Sequence, residues 1–217
     1  MGGLSQTILF VDDNPALLRS VERLLRLEGF AVLLAADGEE ALQHLEASTQ
    51  PPDLIISDVM MPEMDGIEFC KRVKSDWQTS HIPVILLTAK ATSENKLEGL
   101  ETGADVYLTK PFSSKELLVR IKNLLAQRRL LKEKYGKDVK FVPENITPNK
   151  ADQEFLVNAT GIVQKFMDDP QFDSDKFASE IFLSRSQLHR KIHSITGQST
   201  GEFIRTIRLK KAAGFIL

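Results

Sequence analysis

Leu54-Ile55-Ile56-Ser57-Asp58-Val59-Met60-Met61-Pro62-Glu63-Met64-Asp65-Gly66 is the stretch whose reading decides the fold. A short apolar run behind Pro51-Pro52 that stops at an acidic residue describes a strand buried on both faces. Working outward, the same pattern recurs. Thr7-Ile8-Leu9-Phe10-Val11 stops at Asp12-Asp13-Asn14, with Pro15 suited to the first turn of a helix. Pro83-Val84-Ile85-Leu86-Leu87 stops at Thr88, and Val106-Tyr107-Leu108 leads to Lys110-Pro111. Phe30 to Ala35 reads as one more strand. Helical spacing fills the gaps: Leu17, Leu18, Val21, Leu24 and Leu25 up to Gly29, then residues 38–47, 65–75 and 93–102. A last helix starts with Ser113 or Ser114 as its cap and Glu116 in its first turn. Five βα units in about 125 residues predict an α/β fold. The expected form is a doubly wound, flavodoxin-like, five-stranded parallel sheet in the order 2-1-3-4-5.

That order brings four strand ends to one crevice. Asp12, Asp13, Asp58, Thr88 and Lys110 meet there. Oxygen ligands suit a hard cation such as Mg²⁺. Asp13 and Asp58 offer carboxylates, Asp12 binds directly or through water, and Met60 offers its backbone carbonyl. Asp58 is then placed to attack phosphorus as a carboxylate nucleophile, giving an aspartyl phosphate. Lys110 pairs with the phosphoryl oxygens as a point charge, and Thr88 donates its hydroxyl. A cis Lys110-Pro111 peptide would aim the lysine inward. Each residue taken singly also fits a strand-end cap. Their joint placement is the informative observation.

Composition sets outer bounds. With Cys70 as the only cysteine, no intrachain disulfide forms, which fits a cytoplasmic setting. No apolar run is long enough for a transmembrane helix, and the N-terminus lacks the pattern of a signal peptide. Charge is uneven. Residues 1–125 hold 12 Lys and Arg against 19 Asp and Glu, a net of −7. Residues 172–217 hold 8 against 4, a net of +4, which hints at a polyanionic partner for that end alone.

The helix from residue 113 continues past 125. Leu117, Ile121, Leu124, Leu131 and Tyr135 make a short heptad-like seam that either pairs two protomers or packs on its own domain. Gly136 is expected to end it, and residues 137–150 read as a linker. Residues 151–168 form an amphipathic helix that Asp169-Pro170 breaks. Asp173 or Ser174 caps a short helix carrying Phe177, Ala178 and Ile181. After Leu183, Ser184 caps another in which Leu188, Ile192 and Ile195 form the buried stripe. Arg185, Ser186, His189, Arg190 and His193 lie on the other face. Two short helices with a tight turn, the second basic on its exposed face, describe a small all-α helix-turn-helix domain. A generic helical bundle with a solvated basic face fits the same pattern.

Two resemblances sharpen this. Residues 6–126, through Ile8 to Asn14, Asp58 to Gly66, Leu87-Thr88-Ala89 and Gly103 to Phe112, resemble the receiver domain of two-component response regulators. The resemblance implies that Asp58 takes a phosphoryl group from a phosphohistidine on a sensor histidine kinase, with Mg²⁺ held at Asp12 and Asp13. It implies Thr88 and Tyr107 as a switch pair. Since no further nucleophile-base constellation appears, no enzyme activity is expected beyond the domain's own phosphorylation and dephosphorylation. Haloacid-dehalogenase phosphatases also use Asp, Thr and Lys, but place the nucleophile after the first strand.

Residues 151–217 are similar to part of the AraC/XylS family. The likeness rests on Phe177 to Ile181, Leu183 to Ile192, Thr196 to Ser199 and Phe203 to Ala212. It implies that Ser186, His189 and Arg190 face bases, with Ser184, Arg185 and Lys191 nearer phosphates. That family carries a second helix-turn-helix beyond this point, so a truncated piece with weakened DNA binding is expected. Residues 127–150 are expected to join the two domains. The parent is either a free regulator or a hybrid sensor kinase. The expected function is a transcriptional response regulator that forms a homodimer and binds DNA when Asp58 is phosphorylated. The alternative is a phosphoryl shuttle or interaction module whose helical tail docks a protein.

Overall fold

The computed structural model describes residues 6–48, 50–89, 102–137 and 149–214, and it divides into two compact units, 1–126 and 127–217. In the first unit the elements run β1 (Thr7–Val11), α1 (Pro15–Leu27), β2 (Ala31–Ala35), α2 (Gly38–Ala47) and β3 (Leu54–Asp58). They continue with α3 (Gly66–Ser75), β4 (Val84–Thr88), β5 (Val106–Thr109) and the start of α4 (Ser114–Lys137), whose residues 127–137 fall in the second unit. The expected helix over 93–102 lies, but for its last residue, outside the described residues, as does most of the expected linker.

All strand pairs are parallel, in the order β2-β1-β3-β4-β5. This is the expected doubly wound sheet. Every residue of β3 and β4 is buried, which is why those runs are apolar without alternation. Successive side chains still take opposite faces. Ile8, Phe10, Ile56, Ile85 and Leu87 pack with Val21 and Leu25 of α1 and with Leu117 and Ile121 of α4. Leu9, Val11, Ile55, Val84 and Leu86 pack on the other face with Ala41 and Leu45 of α2 and Phe69, Cys70 and Val73 of α3.

Polar residues set the helix starts. Asn14 caps α1, with Pro15 at its first position, Asp37 caps α2 and Asp65 caps α3. Ser113 rather than Ser114 caps α4, its hydroxyl accepting from the Glu116 amide at 3.1 Å. The helix runs through Gly136, one residue beyond the expected stop. Leu117, Ile121 and Leu124 of the expected seam are buried in their own unit's core, while Leu131 and Tyr135 have no described side chains.

Among the described residues the second unit is built of helices: α5 (Lys150–Lys165), α6 (Ser174–Glu180), α7 (Arg185–Thr196) and α8 (Thr200–Gly214). Asp173 is the cap of α6. Ser184 caps α7 in a reciprocal box with Gln187, and Gly197 ends it in the left-handed region at φ 73°. Rings of Phe166, Phe172, Phe177 and Phe203 follow one another at centroid spacings of 5.0, 5.8 and 6.2 Å. Arg208 closes this core from the side, donating to the Asp169 carbonyl at 2.7 Å.

Candidate phosphoacceptor pocket and basic helix

β1 and β3 are neighbours although β2 lies between them in the chain, so the sheet changes winding direction beside them. Their C-terminal ends therefore open on a crevice. Asp12 and Asp13 follow β1, and Asp58 is the last residue of β3. Asp12 and Asp58 are buried and Asp13 is exposed. Carboxylate oxygens of the three all lie within 4.8 Å of one another.

The surrounding backbone holds these side chains in place. The Asn14 amide donates to Asp12 Oδ1 at 2.9 Å, and the Val59 amide donates to Asp58 Oδ1 at 2.9 Å. Gly66, the first residue of α3, is required by contact. A Cβ there would lie 1.9 Å from the Asp58 carbonyl oxygen. Gly66 donates its own amide to the Val59 carbonyl at 3.0 Å, closing the loop behind the acidic group.

Lys110 arrives from the far side of the sheet. Its backbone amide donates to the Thr88 carbonyl at 2.7 Å, tying the ends of β4 and β5 together. The Lys110-Pro111 peptide is cis. The ammonium Nζ lies 3.0 Å from Asp12 Oδ2 and 3.0 Å from Asp58 Oδ1. Burial pulls the Lys110 pKa down, but hydrogen bonds and charge from Asp58 and Asp12 outweigh it and leave the group above its ordinary value. The ammonium is thus charged at neutral pH. Three carboxylates against one ammonium still leave the pocket acidic. Hard oxygen donors at this spacing, open to solvent on the Asp13 side, suit a small divalent cation.

Thr88 is buried at the end of β4, while Met60 sits two residues past β3 and is 71% exposed. Tyr107 is half-buried and packs on the α2–α3 face. Thr109 is the register partner of Thr88, so Tyr107, two residues earlier on β5, emerges on the same face as Thr88. The sequence reading missed Thr102, whose buried hydroxyl is hydrogen-bonded to the Tyr107 hydroxyl.

In the second unit, Ser184, Arg185, Ser186 and His189 are exposed at the start and outer face of α7, and Arg190 is half-buried. Arg185 lies 3.3 Å from Asp175 in a solvent-exposed pair. Lys191 corrects the expectation. It is not available to a phosphate, being only 2% exposed and paired with the equally buried Asp152 of α5. The reason is its position. Leu188, Lys191, Ile192 and Ile195 share one helical face, and that face is the core.

Residues 8–122 match the family model described as response regulator receiver domain. "Histidine kinase P4" of Formosa agariphila is 44% identical over 207 residues, 95% of this chain but 15% of that protein. The alkaline phosphatase synthesis transcriptional regulatory protein PhoP of Bacillus subtilis is 42% identical over 58% of this chain and 51% of its own length. The chain thus spans about half, or far less, of these relatives. A solved signal receiver domain of a signal transduction histidine kinase from Syntrophus aciditrophicus is 37% identical. It covers 57% of this chain and 92% of its own, with a TM-score of 0.53.

Proposed function

The chain belongs to the response regulator receiver domain family, and from that premise we propose that it is a phosphorylation-dependent transcriptional response regulator acting in the cytoplasm. The observation that carries this reading is Lys110 Nζ, equidistant from Asp12 and Asp58 at the C-terminal edge of a parallel sheet.

Asp58 supplies the nucleophilic oxygen. A bond forms from its carboxylate oxygen to phosphorus as the bond from phosphorus to the kinase histidine nitrogen breaks, and that nitrogen leaves with its electron pair. Asp12, Asp13, Asp58 and the Met60 carbonyl would hold Mg²⁺, which would supply charge neutralisation at the phosphoryl group. Lys110 exchanges a carboxylate oxygen for a phosphoryl oxygen, and Thr88 donates its hydroxyl to the same group. Tyr107 follows Thr88. The chain acts on no separate small-molecule substrate; it promotes only its own phosphorylation and dephosphorylation.

The output is dimerisation and DNA binding. Residues 151–217 serve as part of an AraC-type helix-turn-helix domain, joined to the receiver by residues 127–150. Ser186, His189 and Arg190 meet bases, and Ser184 and Arg185 meet phosphates. The likeness to "Histidine kinase P4" runs through both units, which supports their action together and a parent that carries its own kinase.

The test is intact-mass analysis after incubation with acetyl phosphate and Mg²⁺. Wild type should gain one phosphoryl group, and Asp58→Asn should gain none. An equal gain in the variant would remove Asp58 from its role. For the output, the phosphorylated parent should enrich one sequence from random duplex DNA, with Arg190→Ala relaxing it. Binding without preference would favour protein docking by the helical unit.

A further inference from the structure

The Tyr107 hydroxyl has a partner that the switch itself does not need. Thr102 lies just ahead of β5 and is 2% exposed. Its hydroxyl is hydrogen-bonded to the Tyr107 hydroxyl, and its carbonyl accepts from Cys70 Sγ of α3 at 3.7 Å. The Ala104 amide approaches the same Thr102 hydroxyl at 3.4 Å. Thr102 is therefore fixed by the core, whereas Tyr107 is half-buried, packs on the α2–α3 face and meets Thr102 through its hydroxyl.

The same structure holds Asp58 against Lys110 and Tyr107 against Thr102. We propose that Thr102 is a positioning residue that latches Tyr107 in the pose of the unmodified receiver and so sets how readily the switch is thrown. The inference rests on the reading of Thr88 and Tyr107 as the switch pair. Tyr107 and Thr88 lie on one face of adjacent strands, so a displacement of Thr88 gives Tyr107 somewhere to go. To go there, Tyr107 must leave Thr102. A ligand that favours the second pose then works against the latch, and its apparent affinity falls by the fraction held back. One neutral hydrogen bond corresponds to about a 3- to 10-fold effect. Because Tyr107 is half-exposed, its hydroxyl can turn to water when Thr102 is removed, which keeps desolvation from masking the result.

Beryllofluoride with Mg²⁺ is the probe, since it mimics a phosphoryl group on Asp58. The chain has only two tyrosines, so 3-fluorotyrosine labelling gives two resonances, and Tyr135→Phe assigns them. Without the mimic, Thr102→Val should shift the Tyr107 resonance toward its mimic-bound position. It should also lower half-saturation about 3- to 10-fold. Thr102→Ser, which keeps the hydroxyl, should restore both. Tyr107→Phe breaks the bond from the other end, so it should tighten the mimic alike and gain nothing from added Thr102→Val. The Tyr107→Phe single variant stands even if Thr102→Val folds poorly. An unchanged resonance and half-saturation in Thr102→Val, with wild-type Tyr107 still responding to the mimic, would overturn the latch alone. A Tyr107 resonance indifferent to bound mimic in wild type would overturn the switch pair, and the latch with it.

Discussion

Lys110 in the first unit and Lys191 in the second both close on aspartates, yet their surroundings give them opposite uses. The Lys110 side chain is 26% exposed and shares its charge between Asp12 and Asp58, with Asp13 beside them on the solvent side. The Lys191 side chain is 2% exposed, its Asp152 partner is 4% exposed, and the Phe155 ring lies beneath the ammonium. The first pairing has excess negative charge and an open side, so either partner can be exchanged for an incoming ion. The second is enclosed by the core, so an incoming ion has no open side from which to replace either partner. A buried pair of that kind adds little net stability over apolar residues, but losing one member is costly.

The largest expected contrast follows from that difference. Lys191→Ala leaves Asp152 charged and buried, and should cost the helical unit about 3–5 kcal/mol. The readout is loss of helix by circular dichroism with Cys70 still protected. Cys70 is buried in the first unit, and burial pushes its thiol up to about 12, so it reacts with thiol reagents only when that unit opens. Replacing both partners, as Lys191→Met with Asp152→Leu, should restore stability. If the double variant stays unfolded, the pair does more than fill space.

Lys110→Ala should also lower stability, by leaving Asp12 and Asp58 facing each other, but excess Mg²⁺ should recover it. Thermal melts with and without the cation give the comparison. Recovery of Lys191→Ala by Mg²⁺, or its absence for Lys110→Ala, would break the distinction drawn here.

A smaller effect is expected at Phe182. It follows α6 at φ 58°, where the Leu183 amide donates to the Ala178 carbonyl at 3.0 Å and the Phe182 amide to the Ser179 carbonyl at 3.2 Å. That left-handed end favours glycine. Phe182 is 93% exposed, so its ring returns no burial. Phe182→Gly should raise stability by about 1 kcal/mol in denaturant titration.

The smallest effect is alkaline. The folded pKa of Lys110 is raised, so its stabilising contribution is complete below the ordinary lysine value and is lost as pH rises above it. Thermal midpoints should therefore fall less steeply above pH ~10.4 in Lys110→Met than in wild type. Parallel slopes would mean that Lys110 is not distinguished from other lysines.

The first unit was legible because a parallel sheet writes its site at strand ends. Asp12, Asp58, Thr88 and Lys110 each punctuate an apolar run, so one topology places them all. Asp152 and Lys191 were harder because charge hid their periodicity. Asp152, Phe155, Leu156, Ala159 and Val163 share one face of α5, as Leu188, Lys191, Ile192 and Ile195 share one face of α7. Spacing alone marks both charges as facing inward, and their opposite signs make them partners. The AraC likeness, which set Lys191 near phosphates, passed over that register and put it on the wrong side. Thr102 gave no such signal, since its role depends on a contact with Tyr107 that neither spacing nor composition encodes.

The crowded carboxylates have one more consequence, for selection. Asp12, Asp13 and Asp58 repel one another in the absence of a cation. Most substitutions elsewhere weaken a fold, whereas neutral ones at these three positions relieve a repulsion that the proposed phosphoryl chemistry uses. A library of random variants ranked only by heat resistance would therefore collect asparagines at positions 12, 13 and 58. Its winners would be the most durable proteins in the set and the least able to carry a signal.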